Sequence, residues 1–545
     1  MPVITYDKKD LLNLIGRNLS DEELENVINS IKPSVEKITE TEITLEHTAD
    51  RPDLFGIEGL GRAIRSYLNI QPGLKKYKVD EAKLSVKVDD VRIRPYIAAA
   101  IIRNVEFTNE TIKSLMNIQE VLHETIGRKR RKVAIGLHDL DKISPPISYT
   151  QVKKDAKMVP LEFEEEMELK EILQKVPKGK EYGYIINKAK LWPVYVDGKG
   201  IFSFPPIINS DRTKVTEKTK NLFIELTGMD KEAVKQTLNI IVTNIAERGA
   251  TIEAVRLNYK KKTEITPNLA EDVKEIDIDY TNKWIGLNLS PKEIKEILER
   301  MGYGAIEVNS KKIEVIIPPY RFDILHIVDI LEDIAIGYGY NNLVPELPNV
   351  ATVGKPHPIE KLSAKIRNMM ISLGFQEIIR PILSNFSDQF KKMNLRKKKV
   401  VTLLNPVSEE YTCLRISLLP SLLKFLANNK HVDYPQYIFE IGDVVIIDEK
   451  EETRTKNIRK VSAAISDSQA GFADIKSRVE HLLKGLNLDY ELIPTEHPSF
   501  IKGRVCSIVI NERVLGVFGE IHPKVLENWN LEMPVAAFEL EIENL

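Results

Sequence analysis

The residues with the clearest chemical potential are four carboxylates in the stretch PPYRFDILHIVDILEDIAIGYGY, which runs from Pro318 to Tyr340. A helix that begins after an N-cap at Asp323 and ends near Gly337 turns the other three acids to one face, opposite a row of isoleucines. Asp329 and Asp333 then repel each other at a spacing of one helical turn, and no Lys or Arg lies close enough within the helix to relieve them. The four acids are Asp323, Asp329, Glu332 and Asp333.

Three interpretations of this acidic helix follow from the residues alone. Carboxylate oxygens are hard donors that suit Mg²⁺ or Ca²⁺ better than zinc, so the cluster predicts a divalent cation site. An Arg-rich partner would neutralise the same charges. The third interpretation is an ordinary amphipathic helix whose acidic face is hydrated.

Composition limits the remaining classes of function. The chain has 545 residues, of which 43% are hydrophobic, which is enough for several domains. Its 78 basic and 80 acidic residues give a net charge of −2, so a polyanion must be bound by a local patch. One such patch lies in GRKRRK, and its basic residues are Arg128, Lys129, Arg130, Arg131 and Lys132. A solvated loop is an equally good interpretation of this run.

The two cysteines, Cys413 and Cys506, lie far apart and outside any C-x-x-C motif. This spacing supports neither a disulfide framework nor a zinc knuckle. The chain also has no run of about 18 apolar residues and no apolar leader at its first residues. We therefore expect a cytoplasmic protein without a membrane segment.

Periodicity and turn signals divide the chain into four regions of an α+β multidomain protein. Ser20 and Glu23 form a capping-box pattern in the first region, and INER predicts a hairpin turn in the last. The proline-rich segment VPELPNVATVGKPHP marks the final boundary. The predicted regions are an N-terminal α/β domain at 1–85, an α+β domain at 86–266, a small helical domain at 268–345, and an antiparallel sheet with helices at 350–545.

The acidic stretch resembles the metal-binding helix of phenylalanyl-tRNA synthetase beta subunits, which carries a D-x5-D-x2-E-[ED] pattern inside an R-F-D to Y-G-Y frame. This chain matches that pattern at all four acids, with Asp at the final position. The segments HTADRPDLFGIEGLGRAIRSYL and RKRRKVAIGLHDLD resemble the archaeal and eukaryotic type of this subunit. The likeness extends over nearly the whole chain.

The resemblance implies a role in aminoacylation of tRNA. It implies an (αβ)₂ heterotetramer with an alpha subunit, Mg²⁺ at the four acids, and tRNA(Phe) as a partner. ATP and phenylalanine are expected at the alpha-subunit site. The last region resembles a class II synthetase core without the arginines that hold nucleotide phosphates, because Glu440 and Asp443 stand in the middle motif and Glu520 stands in the final one. We expect this core to be catalytically silent.

The 86–266 region resembles the editing domain of this family, which hydrolyses tyrosine mischarged onto tRNA(Phe). The candidate editing residues are Asn209, Ser210, Asp211, Thr227 and Asp230. Without the resemblance, a turn and helix cap is the better interpretation of NSDRT. Two other functions stay open, a non-enzymatic RNA-binding scaffold with an inactive editing site and a free-standing metal-dependent hydrolase.

Overall fold

The computed structural model describes residues 2–350, 352–543 and 545. Its internal contacts divide the chain into two compact units, Met1–Glu346 and Leu347–Leu545. In the described residues no helix is both long enough and apolar enough to cross a membrane.

A three-stranded antiparallel sheet and three helices begin the first unit. Ser20 caps the second helix, and Glu23 completes the predicted capping box by accepting from the Ser20 amide at 2.8 Å. The helices pack their apolar faces on the sheet because Leu and Ile recur at helical spacing. The strands are β1 Val3–Asp7, β2 Ser34–Ile38 and β3 Glu42–Glu46, and the helices are α1 Lys8–Ile15, α2 Asp21–Ser30 and α3 Ile57–Tyr67.

A ten-stranded mixed sheet forms the middle of the first unit, in the order β12-β11-β10-β7-β4-β14-β5-β13-β6, with β15 paired to β14. β4 runs parallel to both of its neighbours, and the other pairings are antiparallel. A short hairpin, β8 with β9, lies outside this sheet. The strands are β4 Val79–Val88, β5 Tyr96–Arg103, β6 Val133–Asp139, β7 Ile147–Val152, β8 Lys157–Met158, β9 Met167–Glu168, β10 Trp192–Asp197, β11 Gly200–Phe204, β12 Ile208–Asn209, β13 Leu222–Gly228, β14 Thr251–Tyr259 and β15 Thr263–Thr266.

Four helices accompany this sheet, and α4 and α7 pack on one of its faces. Strand β13 lies inside the sheet between β5 and β6, so its residues are buried on both faces. The helices are α4 Asn109–Glu124, α5 Leu169–Lys175, α6 Pro177–Tyr182 and α7 Lys231–Ala246.

The third region contains more strands than the small helical domain, with one strand at KIEVIIPP, that the sequence predicts. It contains an antiparallel sheet in the order β16-β18-β17, with three helices packed on one face. The elements are β16 Asp272–Asp277, α8 Ile278–Ile285, α9 Pro291–Arg300, β17 Gly304–Asn309, β18 Lys312–Ile317 and α10 Ile327–Tyr338. Two of these strands were missed because their side chains alternate only weakly between apolar and polar residues.

The second unit contains a seven-stranded sheet in the order β19-β22-β23-β27-β26-β25-β24. All pairings are antiparallel except that of β19 with β22. Asn511 and Glu512 connect β25 to β26 with positive φ angles of 49° and 63°, which confirms the predicted hairpin. The elements are α11 Pro358–Ser372, β19 Gln376–Glu377, β20 Leu383–Ser384, β21 Cys413–Leu414, α12 Leu419–Asn428, β22 Gln436–Ile447, β23 Thr455–Ser466, α13 Phe472–Gly485, β24 Tyr490–Pro494, β25 Phe500–Ile510, β26 Arg513–Ile521, α14 Pro523–Asn528 and β27 Val535–Glu541.

Candidate functional site

A cavity of about 450 Å³ lies along β6, the edge strand of the ten-stranded sheet. Helix α4 supplies one wall through Ile112 and Met116, and the Pro205–Pro206 segment supplies another. Apolar side chains form most of these walls, and the polar side chains of Ser203 in β11, Asn209 in β12 and Glu225 in β13 line them together with six from other elements. This combination is typical of a small-molecule site. The polar groups are Gln119, Glu120, Arg130, Glu162, Lys178, Ser203, Asn209, Lys214 and Glu225.

Glu225 is the buried carboxylate of this cavity. It lies at the centre of β13 and is 2% exposed. Ser203 donates its hydroxyl to Glu225 Oε1 at 2.8 Å, whereas Glu225 Oε2 has no hydrogen-bond partner among the described residues. Gly136 lies opposite Glu225 in the β6–β13 register, and a Cβ there would come within 2.3 Å of Oε1. The glycine therefore leaves the space that the carboxylate occupies.

Two buried polar side chains surround this carboxylate from behind. His138 Nδ1 lies 2.8 Å from the Thr213 hydroxyl, and His138 Nε2 lies 3.9 Å from Glu225 Oε1. Burial raises the pKa of Tyr195 well above its ordinary value, and the nearby Glu225 charge adds to the effect. Glu225 Oε2, His138 Nε2 and the Tyr195 hydroxyl are all buried and without a hydrogen-bond partner among the described residues, so this cluster keeps unpaired polar atoms beside the cavity.

Of the five candidate editing residues, only Asn209 lines the cavity. Ser210 donates to the Val159 carbonyl, and Asp211 accepts from the Glu162 amide, so both fix the chain around the site. Thr227 binds the buried Arg94. Asp230 is the N-cap of α7 and pairs with Lys132 at 3.2 Å. The structure does not bring these five residues together.

The sequence interpretation missed Glu225 and Ser203. A signal for Glu225 was present in NLFIELTG, because a glutamate inside an otherwise apolar strand is rarely buried without a specific reason. Ser203 offered no such signal, since a serine in GIFSFPP is common in turns and strands alike.

The basic run 128–132 divides into engaged and free side chains. Arg130 is buried, and it donates to Glu120 at 2.7 Å and to the Ile207 carbonyl at 3.0 Å. Lys132 pairs with Asp230. Arg128, Lys129 and Arg131 are exposed. Within this run, only Arg128, Lys129 and Arg131 are therefore available to a phosphate. This corrects the sequence prediction, in which all five basic residues form one patch.

The acidic helix begins at Ile327, three residues later than predicted. His326, not Asp323, is its N-cap. Asp329 accepts from the amides of Leu325 and His326 at 2.8 and 2.7 Å, which satisfies two backbone donors at the start of the helix. Gly339 ends the helix with a φ of 97°.

Each of the other three acids has a cationic partner. Arg321 binds Asp323 and Asp333 together, and Tyr303 donates to Asp333 as well. Burial on its own would raise the pKa of Asp333, but the Arg321 and Arg51 charges and the hydrogen bonds outweigh it and hold the pKa below its ordinary value. Glu332 lies 3.1 Å from Lys32 Nζ of the N-terminal region. Asp333 is 1% exposed, so the predicted hydrated acidic face is wrong at this position.

These side chains, as arranged, do not fit the predicted Mg²⁺ ion. No group of three or more acidic, His or Cys side chains in the described part of the chain is placed to hold a metal. The Arg321 guanidinium lies between two of the predicted ligands, and Lys32 neutralises a third. Asp333 Oδ1 is buried and unpaired, but a single oxygen does not make a Mg²⁺ site. Mg²⁺ binding would require these side chains to leave their present partners, and it stays a prediction.

We expect Asp329→Ala to lower the free energy of unfolding by about 1 kcal/mol, because it removes the carboxylate that caps α10. Glu332→Ala should lower the free energy of unfolding by less than about 1 kcal/mol, since the ion pair between Glu332 and Lys32 is partly exposed. Urea unfolding of the two single variants measures both effects. A larger loss for Glu332→Ala than for Asp329→Ala would contradict this assignment of roles.

In the second unit, basic side chains in and beside the sheet pair with acids on both of its faces. Arg415 binds Glu440 at 2.7 Å, and both are buried. Arg459 binds Asp443. Glu539 accepts from the amides of Leu418 and Leu419 at the start of α12, and Lys460 pairs with it at 2.7 Å. These glutamate and aspartate side chains thus neutralise the basic side chains that a phosphate would otherwise need as partners.

We expect Glu539→Gln to destabilise the second unit by about 1.5–3 kcal/mol at neutral pH. Burial would raise the pKa of Glu539, but Lys460 and the hydrogen bonds hold it below the ordinary 4.5. The ionised carboxylate therefore stabilises the fold above the unfolded pKa, and this contribution is lost as the pH falls through the folded value. Urea unfolding followed by Trp529 fluorescence should show a wild-type advantage that shrinks from about pH 7 to about pH 3. An advantage that does not change with pH would contradict the prediction.

Three family models match this chain over most of its length. Residues 93–263 match the B3/4 domain, residues 274–340 match the tRNA synthetase B5 domain, and residues 343–542 match the phenylalanyl tRNA synthetase beta chain CLM domain. The phenylalanine-tRNA ligase beta subunit of Pyrococcus abyssi is 42% identical over the whole of both chains. That of Methanocaldococcus jannaschii is 44% identical, again over the whole of both.

This chain belongs to the phenylalanine-tRNA ligase beta-subunit family. It is accordingly a member of an aminoacyl-tRNA ligase family, as the sequence predicts. A crystal structure of an N-terminal fragment of the phenylalanyl-tRNA synthetase beta subunit from Pyrococcus horikoshii is similar in fold, with a TM-score of 0.61 and 41% identity. The match covers all of that fragment and 62% of this chain. The cavity of the beta-subunit chain lies within the residues matched to the B3/4 domain.

Proposed function

We propose that this chain acts in the cytoplasm as the beta subunit of an (αβ)₂ phenylalanine-tRNA ligase and hydrolyses tyrosine from mischarged tRNA(Phe). The alpha subunit would join phenylalanine to ATP and then to the tRNA. Family membership supports the assembly. The acid-paired arginines of the second unit support a non-catalytic core, because Arg415 and Arg459 already have carboxylate partners.

A correcting step is expected on physical grounds. A pocket shaped for phenylalanine rejects tyrosine only weakly, because a hydrophobic pocket cannot strongly exclude an isostere that adds one hydroxyl. A second site that forms a hydrogen bond with this hydroxyl prefers tyrosine to phenylalanine. The reason is that a buried polar group of that site would have no hydrogen-bond partner when phenylalanine is bound.

The cavity has the features that such a site needs, and Glu225 is the observation that carries the proposal. Its apolar walls can accept an aromatic ring, and its volume exceeds that of a tyrosyl group. The unpaired Oε2 of Glu225 is a buried acceptor that a phenol hydroxyl can satisfy. A phenylalanyl group would leave that oxygen desolvated and unpaired, which disfavours its binding.

The reaction is ester hydrolysis by water. The water oxygen bonds to the tyrosyl carbonyl carbon, the bond from that carbon to the ribose oxygen breaks, and the ribose oxygen leaves with a proton. Ser203 is held by Glu225, so we give it a place in binding and not the role of a nucleophile. Asn209 donates to the Leu137 carbonyl and lines the cavity between Ser203 and β6.

Contact with tRNA is assigned to the exposed side chains of Arg128, Lys129 and Arg131. They form no ion pair within the described residues, so their charges are free for phosphates. Lys214 and Lys178 line the cavity and add positive charge near it. This local patch supplies the positive charge for phosphates that the chain as a whole, with a net charge of −2, does not.

The test is deacylation of Tyr-tRNA(Phe) by the purified heterotetramer, with Phe-tRNA(Phe) as the comparison. We expect tyrosine to be released much faster than phenylalanine. Tight tRNA binding without deacylation would favour a non-enzymatic RNA-binding scaffold. A stable, active monomer that never associates with an alpha subunit would favour a free-standing hydrolase.

The Mg²⁺ hypothesis has its own test in the same complex. Asp329→Ala combined with Glu332→Ala should remove bound Mg²⁺ and loosen αβ association if these side chains leave their present partners and bind the ion at the subunit interface. Metal analysis together with the mass of the complex measures both. Unchanged metal content and unchanged association would show that the acids serve only the cap and the Lys32 pair.

A further inference from the structure

The basic turn between α4 and β6 has an unusual backbone. Arg128, Lys129 and Arg130 follow one another with φ angles of 47°, 55° and 61°. Each left-handed non-glycine residue costs roughly 1–2 kcal/mol, so three in a row persist only where neighbouring contacts fix them. Gly127 precedes them in a tight space, because a Cβ there would lie 2.5 Å from the His123 carbonyl oxygen.

Arg94 fixes this turn from inside the domain. It is 0% exposed, and its guanidinium donates to the Arg130 carbonyl at 3.0 Å and to the Arg131 carbonyl at 3.4 Å. It also donates to the hydroxyl and the carbonyl of Thr227, two residues from Glu225 on the same face of β13. Burial lowers the pKa of Arg94 to about 10, so it stays cationic at neutral pH.

Arg130 fixes the turn to the cavity wall. Its guanidinium donates to the carbonyls of Pro206 and Ile207, which line the cavity, and lies 4.4 Å from the centre of the Tyr182 ring. Glu120 of α4 holds its other nitrogen. Two buried arginines therefore connect the exposed cations, the strand that carries Glu225 and the Pro206–Ile207 segment.

We propose that Arg94 and Arg130 are positioning residues that hold the phosphate-binding turn at a fixed distance from the hydrolytic cavity. The turn would bind the backbone of a tRNA acceptor end, and the cavity would receive its aminoacyl group. The inference rests on the proposed editing function and deepens it. It also replaces the phosphate contact that the sequence suggests for Arg130 with an internal role.

The physical reason is that an ester must be placed to within about 1 Å for efficient attack, and a displacement of that size can cost about 100-fold in rate. A flexible turn would bind phosphates equally well, because that attraction depends on charge and not on exact geometry. A rigid turn also fixes the position of the bound tRNA backbone relative to the cavity. Loss of rigidity should therefore lower kcat for the tRNA substrate and leave its KM nearly unchanged.

The experiment compares two substrates of the heterotetramer, Tyr-tRNA(Phe) and 3′-O-tyrosyl-adenosine, which lacks the phosphates that the turn would bind. Arg130→Met should lower kcat for Tyr-tRNA(Phe) at least about tenfold more than kcat for tyrosyl-adenosine. The KM for Tyr-tRNA(Phe) should change less than about threefold, since three exposed cations remain. Arg92→Met is the matched control, because Arg92 is exposed and outside the cavity.

Equal losses on both substrates, or no loss on either, would overturn the inference. If Arg130→Met does not assemble, the triple variant Arg128→Gln, Lys129→Gln, Arg131→Gln replaces it. That variant should raise the KM for Tyr-tRNA(Phe) more than about tenfold and affect tyrosyl-adenosine far less, and an equal effect on both would also overturn the inference. A wild-type complex that hydrolyses neither substrate would overturn the proposed function itself, and this inference with it.

Discussion

Glu225→Gln should lower kcat/KM for Tyr-tRNA(Phe) deacylation by tenfold to about a hundredfold. The reason is that a hydrogen bond to a charged acceptor contributes about 1.5–3 kcal/mol, and glutamine removes the charge while keeping the shape. Glutamine can still accept from Ser203, so the cavity should keep its form. Release of phenylalanine should change little, because a phenyl ring forms no hydrogen bond with this residue.

Rapid-quench deacylation assays of the purified heterotetramer measure this effect. Glu253→Gln is a matched control, because Glu253 is a buried glutamate of the same sheet that pairs with Arg103 and does not line the cavity. Equal losses of deacylation activity in the two variants would show that removing any buried charge damages the domain. An unchanged Glu225→Gln enzyme would remove Glu225 from tyrosine recognition.

The second large effect is expected from Arg321→Met. Arg321 is 4% exposed and is shared by Asp323 and Asp333, so its loss leaves two carboxylates near one another without their common cation. Breaking a buried ion pair in this way costs about 3–5 kcal/mol. We therefore expect local unfolding of α10 and the adjoining sheet before the rest of the chain.

Hydrogen exchange over residues 272–338 measures this local stability apart from that of the other domains. Lys312→Met is the control, since Lys312 forms an exposed pair with Glu275 in the same sheet and its loss should leave the exchange rates nearly unchanged. Similar exchange rates in the Arg321 variant and the wild type would contradict the assigned role of Arg321.

Local rules predicted local structure well. The Ser20–Glu23 capping box and the Asn511–Glu512 hairpin are both confirmed, because each depends on residues a few positions apart. The start of α10 was placed too early, because Arg321 binds the Asp323 carboxylate while His326 and Asp329 cap the helix.

Partners distant in sequence could not be predicted in the same way. Lys32, which neutralises Glu332, lies 300 residues away, and nothing in the local pattern of either residue indicates the other. The burial of Asp333 depends on Tyr303 and Arg321, which lie in the loops before β17 and after β18. A charged helix face was therefore interpreted as hydrated when part of it is internal.

The cavity shows the same limit. Glu225, Ser203 and Gly136 come from three separate strands. The β6–β13 pairing brings Gly136 to Glu225, whereas β11, which carries Ser203, lies near the other end of the sheet order and meets Glu225 only in the folded domain. The family resemblance located the domain, but the polar motif NSDRT drew attention to a loop whose Ser210 and Asp211 support the chain. Identifying the buried acceptor required the strand pairing.

The most direct test is a crystal structure of the heterotetramer with a non-hydrolysable tyrosyl-adenosine amide. We expect the phenol oxygen to lie about 2.5–3.0 Å from a carboxylate oxygen of Glu225, with the ring between α4 and the Pro205–Pro206 segment. An analogue bound elsewhere, or bound in this cavity with its phenol group directed away from Glu225, would contradict it.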